Sequence, residues 1–174
     1  MPPFSGSVTA RLDRAVGTWT LADPTLATFT VGNLGRRVSG TIPVLSAQTD
    51  VAEDGTVCAV SAVLDIGAIA TGHSRRDKDL RKAALLDLDN HPRLSFTGTD
   101  VTARDESWVV TGLLTVKGTT REITLDASAD QQDDATMRVR ATGQLDRRHY
   151  GVKAPRLMIR TLVDLEIDVT LRRR

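Results

Sequence analysis

TGHSRRDKDLRKAALLDLDNHPRLSF, residues 71–96, is where the β-type pattern of this chain breaks. Before it, residues 57–66 (VCAVSAVLDI) are rich in Val and Ala and read as a strand. After it, Leu94-Ser95-Phe96 resumes the alternation. Between them, residues 77–86 carry helix formers (Lys78, Leu80, Arg81, Lys82, Ala83, Ala84, Leu85) without Gly or Pro, and Leu80 and Ala84 share one face. Pro92 stops a helix from running on through His91. One or two helical turns lodged between strands predict a cap or lid on an otherwise β structure.

Outward from that insert the chain reads as strands. Residues 112–125, GLLTVKGTTREITL, are two alternating runs joined at Lys117-Gly118-Thr119-Thr120, a hairpin. Gly32-Asn33-Leu34-Gly35, Glu53-Asp54-Gly55, Arg104-Asp105-Glu106-Ser107 and the acidic stretch 130–134 supply further turns. In the last run Val163, Leu165, Ile167, Val169 and Leu171 alternate with polar residues, so one face is buried and the other solvated. About eight such runs match an antiparallel barrel, whose closure removes exposed edges and whose interior holds one small ligand.

Alternation also nominates the inward residues: Phe29 and Val31, Val38 and Ile42, Leu94 and Phe96, Leu114 and Val116, Ile123 and Leu125, Val139, and Val163, Leu165 and Ile167. Few are aromatic, and Ala127, Ala141 and Gly143 leave room. The expectation is a cavity, with mutual packing of the same side chains as the alternative.

The order of motifs is a strand, RRDxxLR, LLD, HPxLxF, GxLTVKGxTRxxTL, then Arg147-Arg148-His149-Tyr150-Gly151-Val152 and a long final strand. It resembles the YceI-like family over about residues 19–171. The resemblance implies a lipocalin-like all-β barrel over 17–174 with a helical insert around 75–86; before it, the polar, Pro/Gly/Ser-containing segment 1–16 is expected to be loosely ordered. It further implies binding of a polyisoprenoid, a quinone or a fatty-acid-like molecule for carriage, storage or sequestration, and it allows a homodimer. Arg147, Arg148 and Tyr150 resemble the family's Arg-x-x-aromatic-Gly segment, read as lying at the barrel mouth or anchoring the loop. The chain departs from the family pattern at Asn33, at Leu85-Leu86-Asp87 and at His91, where His, Phe and Tyr are common.

Composition narrows the function. A net charge of +1 offers no field for nucleic acid, and 3% aromatics argue against base stacking. No run reaches transmembrane length and the opening residues lack an apolar signal core, so the chain reads as cytoplasmic, without stable membrane insertion. Cys58 is the only cysteine, which excludes an internal disulfide, and the burial habit of free Cys makes it a small hydrophobe rather than a nucleophile.

Chemistry-bearing residues concentrate in the insert. Asp77 reads as the cap of the helix start, paired with Arg81. Arg76 either orders the lid or receives a phosphate head through a bidentate fork. His73, Asp77, Asp87, Asp89 and His91 lack the spacing of a metal site, and Ser74 lies in no GxSxG elbow. No cofactor motif is present, and the expectation is a binder rather than an enzyme. The ligand site is expected from Phe29, Val31, Val38, Ile42, Phe96, Leu114, Val116, Ile123, Leu125, Val139, Val163 and Leu165, with Arg76 and Arg147 for a polar head. The competing reading is a stress-response or protein-interaction module with a packed barrel; a third, turnover of a bound lipid, needs an acid–base pair facing inward.

Overall fold

The structure, a computed structural model, describes residues 15–154 and 159–174. The expectation for the opening segment lies, as far as residue 14, outside the described residues. Nine strands are described: β1 (Gly17–Leu21), β2 (Thr25–Asn33), β3 (Arg36–Val51), β4 (Val57–Leu64), β5 (Leu94–Arg104), β6 (Ser107–Val116), β7 (Thr119–Gln131), β8 (Thr136–Asp146) and β9 (Ile159–Arg173). Each pairs antiparallel with its neighbours in the order β1-β3-β2-β9-β8-β7-β6-β5-β4, and β3–β4 pairing closes the ring. β1 also pairs with both β3 and β9, in the slot that β2 occupies further along. The two therefore form one stave broken at Ala22-Asp23-Pro24, where proline supplies no N–H to a ladder. The result is a closed eight-stave barrel.

Local chemistry sets the connections. Leu34-Gly35 and Lys117-Gly118 join adjacent strands with positive φ at both positions (48° and 76°, 52° and 73°), the geometry that matches strand twist in a tight hairpin. Bulges between Val44 and Ser46, Asp50 and Val51, and Gly98 and Asp100 bend the strands toward closure.

The insert is present with a different interior. Helix α1 (Ser74–Leu80) is capped by His73, whose Nδ1 accepts from Arg76 N at 3.2 Å. Asp77 is not the cap; it accepts from Thr71 N at 2.9 Å and Thr71 Oγ1 at 2.6 Å. Arg81 reaches Asp89 at 2.7 Å and the Gly67 carbonyl at 3.1 Å instead of Asp77. Regular helix ends at Leu80, and hydrogen-bonded turns follow as far as His91. Helix propensity over 82–86 yields to burial: the turns deliver Leu86 and Leu88 onto the barrel, 9% and 1% exposed.

Candidate functional site: an apolar cavity

Inward residues follow from strand alternation, and the barrel interior divides into a packed end and a hollow. At the insert end Ile66, Leu86, Leu88, Val116 and Tyr150 are buried together with Phe29 and Ile42. The segment after β8 straps across this end. Its short helical turn Arg147–Tyr150 leads to Gly151, whose carbonyl accepts from Lys117 Nζ at 2.8 Å, and Lys153 N donates to Ala84 O at 2.8 Å. Near the opposite end, Trp19 is fully buried, donates to Ala15 O at 2.6 Å and lies under the Arg173 guanidinium, 4.7 Å from the ring centre.

Between the two lies a cavity of about 160 Å³. Of the residues nominated from sequence, Phe96, Leu114, Ile123, Leu125, Val139 and Leu165 line it, joined by Leu94 and Ile167. Phe29, Ile42 and Val116 are buried in the packing at the insert end, while Val31, Val38 and Val163 are half-buried and stand outside the lining. Trp108, Val110, Met137 and Val169 also line the space. Trp108 and Val110 could have been reached by stepping back two residues at a time from Leu114.

Room is left where small side chains face large ones. Ala127, Ala129 and Ala141 form much of the β7–β8 wall, and Ile123, Leu125, Ala127 and Ala129 of β7 are only half-buried, because each borders the hollow. Gly143 contributes no space, since the Leu125 side chain lies where its Cβ would be.

The lining is apolar. Gln48, Ser61, Ser128 and Glu166 touch the cavity from positions that alternate with inward neighbours; the last three are exposed on the outer face. Thr49 is the inward polar residue, and its Oγ1 already donates to Ala59 O at 2.9 Å. His73 and Asp77 do not converge on the hollow; both serve the insert's own backbone. Arg76 is half-buried on α1 and does not line the cavity.

Arg147 is 5% exposed and donates to the carbonyls of Arg160, Val152, Ala154 and Ile159 at 2.8–3.1 Å. Of its two readings, this geometry describes the loop anchor. Burial pushes the Tyr150 phenol above its usual range, and its hydroxyl has no hydrogen-bond partner among the described residues. Cys58, expected to be buried, is exposed, with Val57 and Val60 facing the cavity on either side of it.

One seam of the barrel is incomplete. β4 and β5 pair only over residues 61–64 and 94–97, although β3 follows β4 to Val57 and β6 follows β5 to Arg104. Val57, Val60, Val101 and Trp108, near this seam, belong to the cavity lining.

A closed antiparallel barrel around an apolar hollow, with a short helical insert over one end, defines a lipocalin-like fold. The chain belongs to the YceI-like domain family, whose model matches residues 8–171. It is similar to a UPF0312 protein of Pectobacterium carotovorum, 37% identical over 75 residues, which are 43% of this chain and 39% of that protein. The match thus spans well under half of that relative's length. In structure it resembles BcnA of Burkholderia cenocepacia, with a TM-score of 0.74 at 15% identity, covering 83% of this chain and 94% of that one. It also resembles a polyisoprenoid binding domain from Saccharophagus degradans, with a TM-score of 0.70 at 14% identity, covering 91% and 99%. Among the described residues no helix is long and apolar enough to cross a membrane.

Proposed function

We propose that this chain binds an elongated apolar molecule, polyisoprenoid, quinone or fatty-acid-like, and carries, stores or sequesters it without chemical turnover. The observation that carries this reading is an interior hollow whose lining turns almost no polar atom inward. Family membership and the polyisoprenoid binding domain among the structural relatives support it.

The energetics suit such a ligand. Each buried CH₂ contributes roughly 0.8 kcal/mol, so about ten contribute ~8 kcal/mol before ordering costs. An inner wall of hydrocarbon selects for length and apolarity. Turnover would need an inward acid–base pair, and Glu166, the one titratable residue among the described residues of the lining, stands exposed on the outer face. The interaction-module reading would be favoured by a solidly packed barrel, and the hollow counts against it.

Mass spectrometry of the organic extract of natively purified protein tests the proposal. A long-chain lipid at about one per chain is expected. A clean extract, together with no uptake of a fluorescent fatty acid or prenyl probe, would transfer the role to the outer surface.

A further inference from the structure

The staves of this barrel are not joined equally. Among the described residues, 57–60 of β4 and 98–104 of β5 have no strand partner on the side where they should face each other. Gly98 marks the fork. A Cβ there would stand 3.2 Å from Val60 Cβ and 3.3 Å from Val60 O, so the strands touch at this point. The β4–β5 pairing ends just before it, at Ser61 and Thr97, and β5 then bulges against β6 between Gly98 and Asp100. Val60 on one bank and Val101 on the other both line the cavity, so the gap leads into the hollow.

We propose that the apolar ligand enters through this seam and leaves its polar end there, and that this end is an uncharged group such as an amide, alcohol or quinone rather than a phosphate or carboxylate. The inference rests on the apolar-cavity reading above. Three observations converge on it.

The hollow, at about 160 Å³, compares with an apolar cavity of about 150 Å³ that takes one benzene, so the rest of a long chain must extend out of it. The insert end is closed by buried Leu86, Leu88 and Tyr150, and Trp19 is fully buried near the opposite end, so among the described residues the seam is the way out. The unpaired strand edges present backbone N–H and C=O groups that seek partners, and a neutral head with a donor or acceptor satisfies them.

Charge at the rim excludes anions. Glu53 and Asp54 lie in the turn before β4, Asp100 lies on β5, and Asp105 lies in the turn after it, all exposed. Arg104 is the one cation among the described residues of these turns and edges. Exposed charges act over about 8 Å at physiological salt, so a phosphate drawn into the seam beside these carboxylates would be repelled.

Hexadecanamide, hexadecanol, hexadecanoic acid and hexadecyl phosphate, compared below their aggregation thresholds, test the head group at constant chain length. The neutral pair should bind about tenfold or more tightly than the anionic pair. Asp54→Lys combined with Asp105→Lys, both in exposed turns, should bring hexadecyl phosphate within about threefold of the amide while amide binding holds. Bound hexadecanamide should slow hydrogen exchange over residues 57–60 and 98–104. Equal or tighter binding of the phosphate by the unaltered protein overturns the head-group assignment. Protection confined to residues 86–88 and 150 overturns the seam as portal. Failure of all four probes to bind removes the apolar-cavity reading itself, a separate result.

Discussion

The Phe96 ring lies over Gly112 of the neighbouring strand, so close that a Cβ on that glycine would stand 2.7 Å from Phe96 Cε2 and 2.6 Å from Thr97 O. The backbone oxygen cannot swing aside, so any side chain at position 112 must displace a strand as well as a ring. Phe96 is also cavity wall, which ties local packing to the shape of the hollow. Gly112→Ala should cost about 1–3 kcal/mol in urea unfolding, as overpacking does, and push the ring toward the cavity. Unchanged stability would show that the ring and strand have slack that this contact denies.

Arg147 carries a prediction of the opposite sort, a charge whose loss unties a loop. Its guanidinium holds four carbonyls, those of Val152, Ala154, Ile159 and Arg160. Arg147→Ala strips these acceptors of a buried partner and should cost about 3–5 kcal/mol. Arg147→Lys should rescue little, because a point-like ammonium cannot reproduce a planar fork of five donors. Denaturant unfolding of both variants decides it, and near-complete rescue by Lys would reduce the role of Arg147 to charge alone.

These two sites also mark what the sequence could reveal. The inward phase of β9 was legible because Leu165 and Ile167 sit in an unbroken period-two run, and that of β6 from Leu114 and Val116 two residues apart. The bulges at Val44/Ser46 and Asp50/Val51 were not, since an extra residue leaves no compositional mark, and such shifts help to put Val57 and Val60 inward with Cys58 outside. Residues 82–86 have good helix propensity, yet burial of Leu86 and Leu88 outweighs it. The seam was illegible for a deeper reason: pairing is a property of two strands, and neither β4 nor β5 alone shows that they part at Gly98. Arg147 gave only a charge in a turn; its burial depends on carbonyls up to thirteen residues away.

Asp146 supplies a pH dependence. Its carboxylate accepts from Arg148 Nε at 3.0 Å and Nη2 at 2.6 Å, and from the Arg148 backbone N at 3.0 Å. The guanidinium's hydrogen bonds hold the carboxyl down at about 2, against an ordinary 3.8, despite some opposing desolvation. A depressed carboxyl favours the folded state above the unfolded pKa, and that contribution disappears as pH falls through the folded one. Asp146→Asn should therefore be less stable than the unaltered protein at neutral pH. The gap should shrink as pH falls from about 4 to about 2. Unfolding midpoints measured across that range test the sign. A gap that stays constant would assign the loss to the missing second acceptor oxygen opposite Arg148 rather than to charge.

The cavity itself is tested by two substitutions on one strand. Ala127 faces the hollow from β7, and Thr124 lies on the outer face of the same strand. Ala127→Phe places a ring in space that already exists, so its cost in stability should stay below the 1–3 kcal/mol typical of overpacking, about 1 kcal/mol or less. Uptake of a long-chain probe should nevertheless fall about tenfold or more, since the ring takes the volume the chain would fill. Thr124→Phe adds the same ring to solvent and should leave uptake unchanged. Equal loss in both variants would mean that the probe binds the outer surface. No loss in either would mean that the ligand lies elsewhere than along the β7 wall, because a ring on Ala127 cannot avoid a chain threaded past Leu125 and Ala129.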